Sequence, residues 1–76
     1  MERLTVALIF LVPQVLELIM AEYTVNEIEA AEMFYTSEVF ETLEEERTKL
    51  WHLSAYALFD LFVEERTTGK VTYPEA

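Results

Sequence analysis

The sequence predicts an all-α fold. Three observations carry that prediction. There is one Gly and two Pro in 76 residues, so few tight turns are available. Glu, Leu and Ala are abundant, and all three favour helix. Apolar residues make up 53% of the chain and gather in two long oily segments, one near each end, around a strongly acidic middle. Residues 4–46 contain ten glutamates and neither Lys nor Arg.

The first element is an oily helix built from Leu4, Val6, Leu8, Ile9, Phe10, Leu11, Val12, Val15, Leu16, Leu18 and Ile19. A helix that is apolar on nearly every face is expected to be buried on all sides. In so small a chain that calls for a second subunit. Pro13 lacks an amide donor and clashes with the carbonyl of Ile9, so a kink or break is expected there. The uncharged run, from Leu4 to Leu16, is 13 residues, against about 20 for a membrane span. Pro13, Gln14 and Glu17 interrupt any extension of it. A signal peptide is the nearer rival, with Arg3 in its basic end and Ile19-Met20-Ala21 as a poor cleavage site. Glu2 dilutes that basic end, and a core helix is the expectation.

A second helix is predicted from a capping box at Thr24 and Glu27, with Tyr23 and Ile28 as the hydrophobic staple. It runs to about Tyr35, with Val25, Ile28, Ala31, Phe34 and Tyr35 inward and Glu27, Glu29 and Glu32 outward. Thr36-Ser37 is the next cap, opening a short helix from Glu38 to about Glu46 with Val39, Phe40 and Leu43 inward. Glu38 and Glu41 sit in its first turn, where the helix dipole favours acids. Arg47-Thr48-Lys49 reads as a loop.

The last helix is the second oily one, from Leu50 to about Thr67 or Thr68, interrupted only by His52, Ser54 and Asp60. Thr48 is its N-cap, with Ser54 the alternative if the start is later. Gly69 stops it. Glu64-Glu65-Arg66 returns the chain to solvent. Residues 1–70 are thus one helical domain, and 71–76 an extended tail that frays unless a partner pins it.

Stability must come from apolar burial. There is no cysteine, hence no disulfide and no thiolate metal site. Chains of this size bury only about 60–65% of their unfolded surface. Backbone ordering costs about 1–2 kcal/mol per residue. An intertwined or packed helical homodimer, with the first and last helices meeting across the dimer axis, is the expected solution. Its interface candidates are Leu8, Phe10, Leu11, Val15, Trp51, Tyr56, Phe59 and Phe62.

The charge balance bounds the partners. A net charge of −10 opposes nucleic-acid binding, which needs a basic stripe, and favours a basic protein. Glu29, Glu32, Glu38, Glu41 and Glu45 are the candidates to face it. A single histidine rules out a histidine metal cluster, and His52 has Lys49, not Glu, three residues before it, as a di-iron bundle would require. No Ser, Cys or acid accompanies His52 at a diagnostic spacing, so no triad is predicted. One glycine excludes a phosphate loop. No enzyme, cofactor or metal is expected, and a cytoplasmic place is. Asp60 either pairs with Arg66, Lys49 or Arg47 in the core, or lies on a wet edge.

Phe34-Tyr35-Thr36-Ser37, then Glu44-Glu45-Glu46-Arg47-Thr48-Lys49-Leu50-Trp51, then Ser54-Ala55-Tyr56 with Phe59 and Glu64-Glu65, resembles a family of short bacterial proteins of unknown function. Its members carry Phe-Tyr-x-Ser, an acidic turn into Thr-x-Leu-aromatic, and a Ser-x-x-Leu-type helix ending in acids. Some are encoded beside toxin–antitoxin-like genes. The resemblance covers half of the chain and leaves out the oily segment before Thr24. It implies a protein-partner role, and the one-signed charge of the acidic run makes the expected role antitoxin-like, toward a basic protein. The competing expectation from composition is a helical dimer that binds an apolar small molecule or lipid between its two oily helices.

Overall fold

The computed structural model describes residues 3–45 and 48–73. Among the described residues, four α-helices form an all-α fold: α1 (Arg3–Tyr23), α2 (Glu27–Tyr35), α3 (Glu38–Leu43) and α4 (Ala55–Thr68), with a 3₁₀ turn at Leu50–His52 before α4. The Cα radius of gyration is 11.7 Å. A globule of this length has about 11 Å, so the chain is fully collapsed on itself.

α1 runs unbroken through Pro13 for 21 residues, which corrects the expected break. Pro13 leaves the Ile9 carbonyl without its amide partner. One residue on, the Gln14 side-chain amide donates to the Phe10 carbonyl at 2.8 Å. That bond adds a donor where the helical ladder is weakest.

The junction after α1 differs from the expected capping box. Thr24 has φ of 54° and therefore sits in the left-handed region. Val25 N–H donates to the Met20 carbonyl at 3.3 Å, the six-to-one bond of a Schellman ending. Thr24 is thus spent closing α1 and cannot also cap α2. The cap moves to Asn26, which takes the Glu29 amide at 2.7 Å while Glu29 takes the Asn26 amide at 3.2 Å. The apolar stripe of α2 moves too. Ala30 and Phe34 are buried, while Ile28 is 72% exposed and Tyr35 half exposed.

Ser37 caps α3 as expected. It is buried, accepts from Phe40 N–H at 3.1 Å and donates to the Phe34 carbonyl, so its hydroxyl is fully paired. α3 ends at Leu43, before the predicted Glu46; Glu46 and Arg47 lie outside the described residues. Thr48 folds back to donate to the Thr42 and Glu45 carbonyls at 2.9 and 2.8 Å. It closes the α3 end and does not start α4. Lys49, at φ of 57°, turns the chain. Ser54 then caps α4 through the Ala57 amide at 3.1 Å, the later of the two expected starts. Gly69 ends it at φ of 80°.

The core lies within the single chain. Val15, Leu16 and Ile19 of α1 meet Ala55, Leu58 and Phe62 of α4, with Ala30, Phe34, Val39, Leu43 and Leu50 closing the remaining sides. Phe34 stands edge-on to Phe62 at 5.9 Å and to Phe40 at 5.3 Å, and Tyr23 edge-on to Phe62 at 6.1 Å. Edge-to-face pairs of this kind add about 0.5–1.5 kcal/mol each beyond their burial.

Candidate functional site

The core takes only half of α1. Val15, Leu16 and Ile19 are buried, whereas residues 4–14 include no buried side chain. Ile9 is 61% and Phe10 65% exposed. Within the single chain α1 is not buried on all sides: its C-terminal half turns Val15, Leu16 and Ile19 inward while Glu17, Ala21 and Glu22 stay exposed, and residues 4–14 remain at the surface. The reason is length. A helix of 21 residues is about 31 Å long, and α2, α3 and α4 are too short to cover it.

Leu4–Tyr23 is long and apolar enough to cross a membrane by length and composition, with a mean hydropathy of 2.2. Only 17% of that window is buried within the fold. The 13-residue limit read from sequence relied on Pro13, Gln14 and Glu17 as interruptions, and the helix passes through all three.

Beside this exposed half runs an open apolar groove of about 530 Å³, lined by Leu8, Ile9, Val12 and Pro13 of α1 and by Tyr35 and Phe40 of the α2–α3 corner. The corner exists because Thr36 and Ser37 end one helix and start the next within two residues. Tyr35 packs on Phe40 at 4.9 Å, and Phe40 on Phe34, so the groove wall is anchored to the core. The six lining residues include no Asp, Glu, Lys, Arg or His. Such a surface holds apolar groups and discriminates by shape.

The space expected between the two oily helices is instead packed. A notch of about 100 Å³ lies there, bordered by Gln14, Glu17, Leu18, Ala55 and Tyr56. The room lies on another side of α1, in the groove.

The interface candidates separate by burial. Phe10 and Tyr56 are exposed, Tyr56 at 70%. Leu8, Leu11, Trp51 and Phe59 are half-buried against the core. Val15 and Phe62 are wholly enclosed by their own chain, which leaves them no surface for a second copy. Sequence missed Ile9, Val12, Pro13, Tyr35 and Phe40 as groove residues. Pro13 in an uncharged run was the one available sign.

The acidic candidates Glu29, Glu32, Glu38, Glu41 and Glu45 are all exposed on or just after α2 and α3, as are Glu27 and Glu44. They form the expected charged rim. Two of them also have structural duties: Glu29 completes the α2 capping box, and Glu38 accepts from the Tyr73 hydroxyl at 3.0 Å.

Glu64 and Glu65 do not simply return the chain to solvent. The Glu65 carboxylate accepts from the Glu38 and Val39 amides at 3.0 and 3.1 Å, capping α3 from α4. Glu64 accepts from Thr72 N–H at 2.8 Å. Tyr73 shares a further hydrogen bond with Thr42 at 3.0 Å. The tail is therefore pinned by its own chain as far as Tyr73, and residues 74–76 lie outside the described residues. Burial raises the Tyr73 phenol above its ordinary value of 10.0, and the Glu38 and Glu65 carboxylates add to that.

Asp60 is exposed, on the wet edge, beside a second groove of about 400 Å³ formed with Leu53, Ala57, Leu61, Thr72 and Tyr73. Arg66 lies over the Tyr23 ring at 5.2 Å and the Phe62 ring at 5.8 Å. His52 is exposed and stacks on Trp51 at 3.9 Å. Both serines of the chain have their hydroxyls bound to helix-start amides. Among the described residues, no group of three or more His, Asp or Glu could hold a metal ion.

Comparisons with protein-family models, with curated proteins and with solved structures each found no match.

Proposed function

We propose that this chain is a non-catalytic protein-interaction module whose contact surface is the groove beside α1. The observation that carries this is the exposed, uncharged face itself. Ile9 and Phe10 stand in water at a groove whose lining is Leu8, Ile9, Val12, Pro13 and the aromatic rings of Tyr35 and Phe40. A contiguous apolar patch of this kind is costly to leave wet and marks an association surface. The acidic rim on α2 and α3 biases the choice of partner toward basic proteins and against nucleic acid. An antitoxin-like role, implied by the sequence resemblance, is one form of such a module.

The test is capture of partners on immobilised wild-type chain and on Ile9→Glu, with stepwise salt elution. A module of this kind holds protein on the wild type and loses it on Ile9→Glu. Equal capture by both chains, or none by either, would overturn the proposal.

The hydropathy of α1 favours a second reading, attachment to a membrane. It meets a structural cost. Val15, Leu16 and Ile19 belong to the core, so inserting the whole helix would strip the fold. Flotation with phosphatidylcholine vesicles that carries the chain upward with its helicity altered supports this reading. Recovery of all the protein at the bottom removes it.

A further inference from the structure

We infer that the groove beside α1 docks a second copy of this chain, α1 against α1 about a two-fold axis, with segment 8–13 of each copy covering the groove of the other. The inference deepens the interaction-module reading and rests on it.

Shape favours a protein over a bilayer. The surface is a shallow, open groove of about 530 Å³ with the exposed Ile9 in its lining and the exposed Phe10 next to it in the chain. A flat apolar slab leaves a groove empty, whereas a helix with projecting side chains fills it. Charge then selects among proteins. Every copy carries a net charge of −10, so two copies repel over most of their surface. Residues 4–16 contain no Asp, Glu, Lys, Arg or His, and Tyr35 and Phe40 add no charged side chain at neutral pH. This is the face on which two copies approach with the least repulsion. A basic partner would gain nothing from the groove lining, which offers it no carboxylate. The second copy brings the uncharged, projecting strip that the groove lacks.

The arrangement differs from one in which α1 and α4 meet across the axis. Those two helices already pack within one chain, through Val15, Ile19, Leu58 and Phe62.

Size sets the strength. Residues 4–14 extend about 16 Å along the helix, and a helix with side chains is about 10–12 Å across. With the groove walls, the contact falls at the low end of specific interfaces, below about 1,200 Å² in total. The dimer should therefore dissociate on dilution.

Salt distinguishes the occupants. Screening weakens the repulsion between two acidic copies, so self-association strengthens as salt rises. Attraction to a basic protein weakens under the same change.

The experiment is sedimentation equilibrium of the purified full chain over a dilution series at low and high salt. Wild type is expected to shift from 8.9 kDa toward twice that mass with concentration, and further so at high salt. Phe10→Glu and Ile9→Glu should each remain monomeric. Tyr56→Glu, an equally exposed aromatic away from the groove, should dimerise like wild type. Circular dichroism establishes that the variants keep their helicity. Their side chains are exposed, so folding is not at stake. A wild-type chain that stays monomeric at high salt overturns the inference, as does a dimer that survives both groove substitutions. A monomer that still captures a protein in an Ile9-dependent way would overturn self-association alone and leave the module reading standing.

Discussion

Replacing Glu65 by alanine removes the carboxylate that caps α3 from α4. Two backbone amides, of Glu38 and Val39, lose their acceptors at 3.0 and 3.1 Å. Hydrogen bonds to a charged group contribute about 1.5–3 kcal/mol each in protected settings. Here the Glu38 amide is exposed and water can replace its partner, so most of the loss falls on the half-buried Val39 amide. The helix-dipole interaction at the α3 start adds about 0.3–1 kcal/mol. The sum is about 2 kcal/mol. A chain of this length has roughly 4–11 kcal/mol of total stability, so the effect is large. It corresponds to a fall in Tm of about 8–16 °C.

The sign is the informative part. Glu65→Ala removes one negative charge from a chain of net charge −10. If only net charge mattered, it would stabilise. Glu32→Gln makes the same charge change on an exposed side chain of α2 and should move stability by less than about 0.5 kcal/mol. Urea unfolding followed by far-UV circular dichroism measures all three chains. A Glu65→Ala variant that unfolds at the wild-type midpoint, or above it, would refute the tertiary cap.

Three further outcomes are expected. Asn26→Ala should cost about 1 kcal/mol as a lost N-cap, whereas Thr24→Gly should stabilise by about 1 kcal/mol by relieving a β-branched residue at positive φ; thermal melts that give Thr24 the larger loss would put the cap back at Thr24. Phe34→Ala, at the centre of the aromatic cluster, should destabilise by about 3–5 kcal/mol in urea unfolding. Tyr73 holds its proton more tightly folded than unfolded, so its stabilisation is complete below pH 10.0 and is lost as pH rises through its higher folded value; the stability gap between wild type and Tyr73→Phe, about 1 kcal/mol at neutral pH, should close in alkaline titration, and a gap that persists there would show that folding does not raise the phenol.

What the sequence makes legible is local chemistry. Ser37 and Gly69 act where their residue types say they should, because each decides a helix end with its own side chain or backbone. The acidic rim follows from helical spacing alone. Thr24 was misread because two cap motifs overlap within three residues, and the Schellman ending of α1 takes priority over the start of α2. Glu65 was misread because its partners lie 26 and 27 residues away, beyond any local pattern. The groove has the same origin: Tyr35 and Phe40 reach α1 only once the α2–α3 corner has folded. Composition gave an apolar excess but not its address, which depends on how much of α1 three shorter helices can cover.

The most direct measurement of the central claim, that the uncovered face of α1 is a contact surface for a second copy of the chain, is an isotope-filtered nuclear Overhauser experiment on a mixture of labelled and unlabelled chain. The expected result is intermolecular contacts that join residues 8–13 of one copy to α1, Tyr35 or Phe40 of the other. Intermolecular contacts confined to other surfaces, such as the region around Tyr56, or a concentrated sample at high salt with none at all, would contradict it.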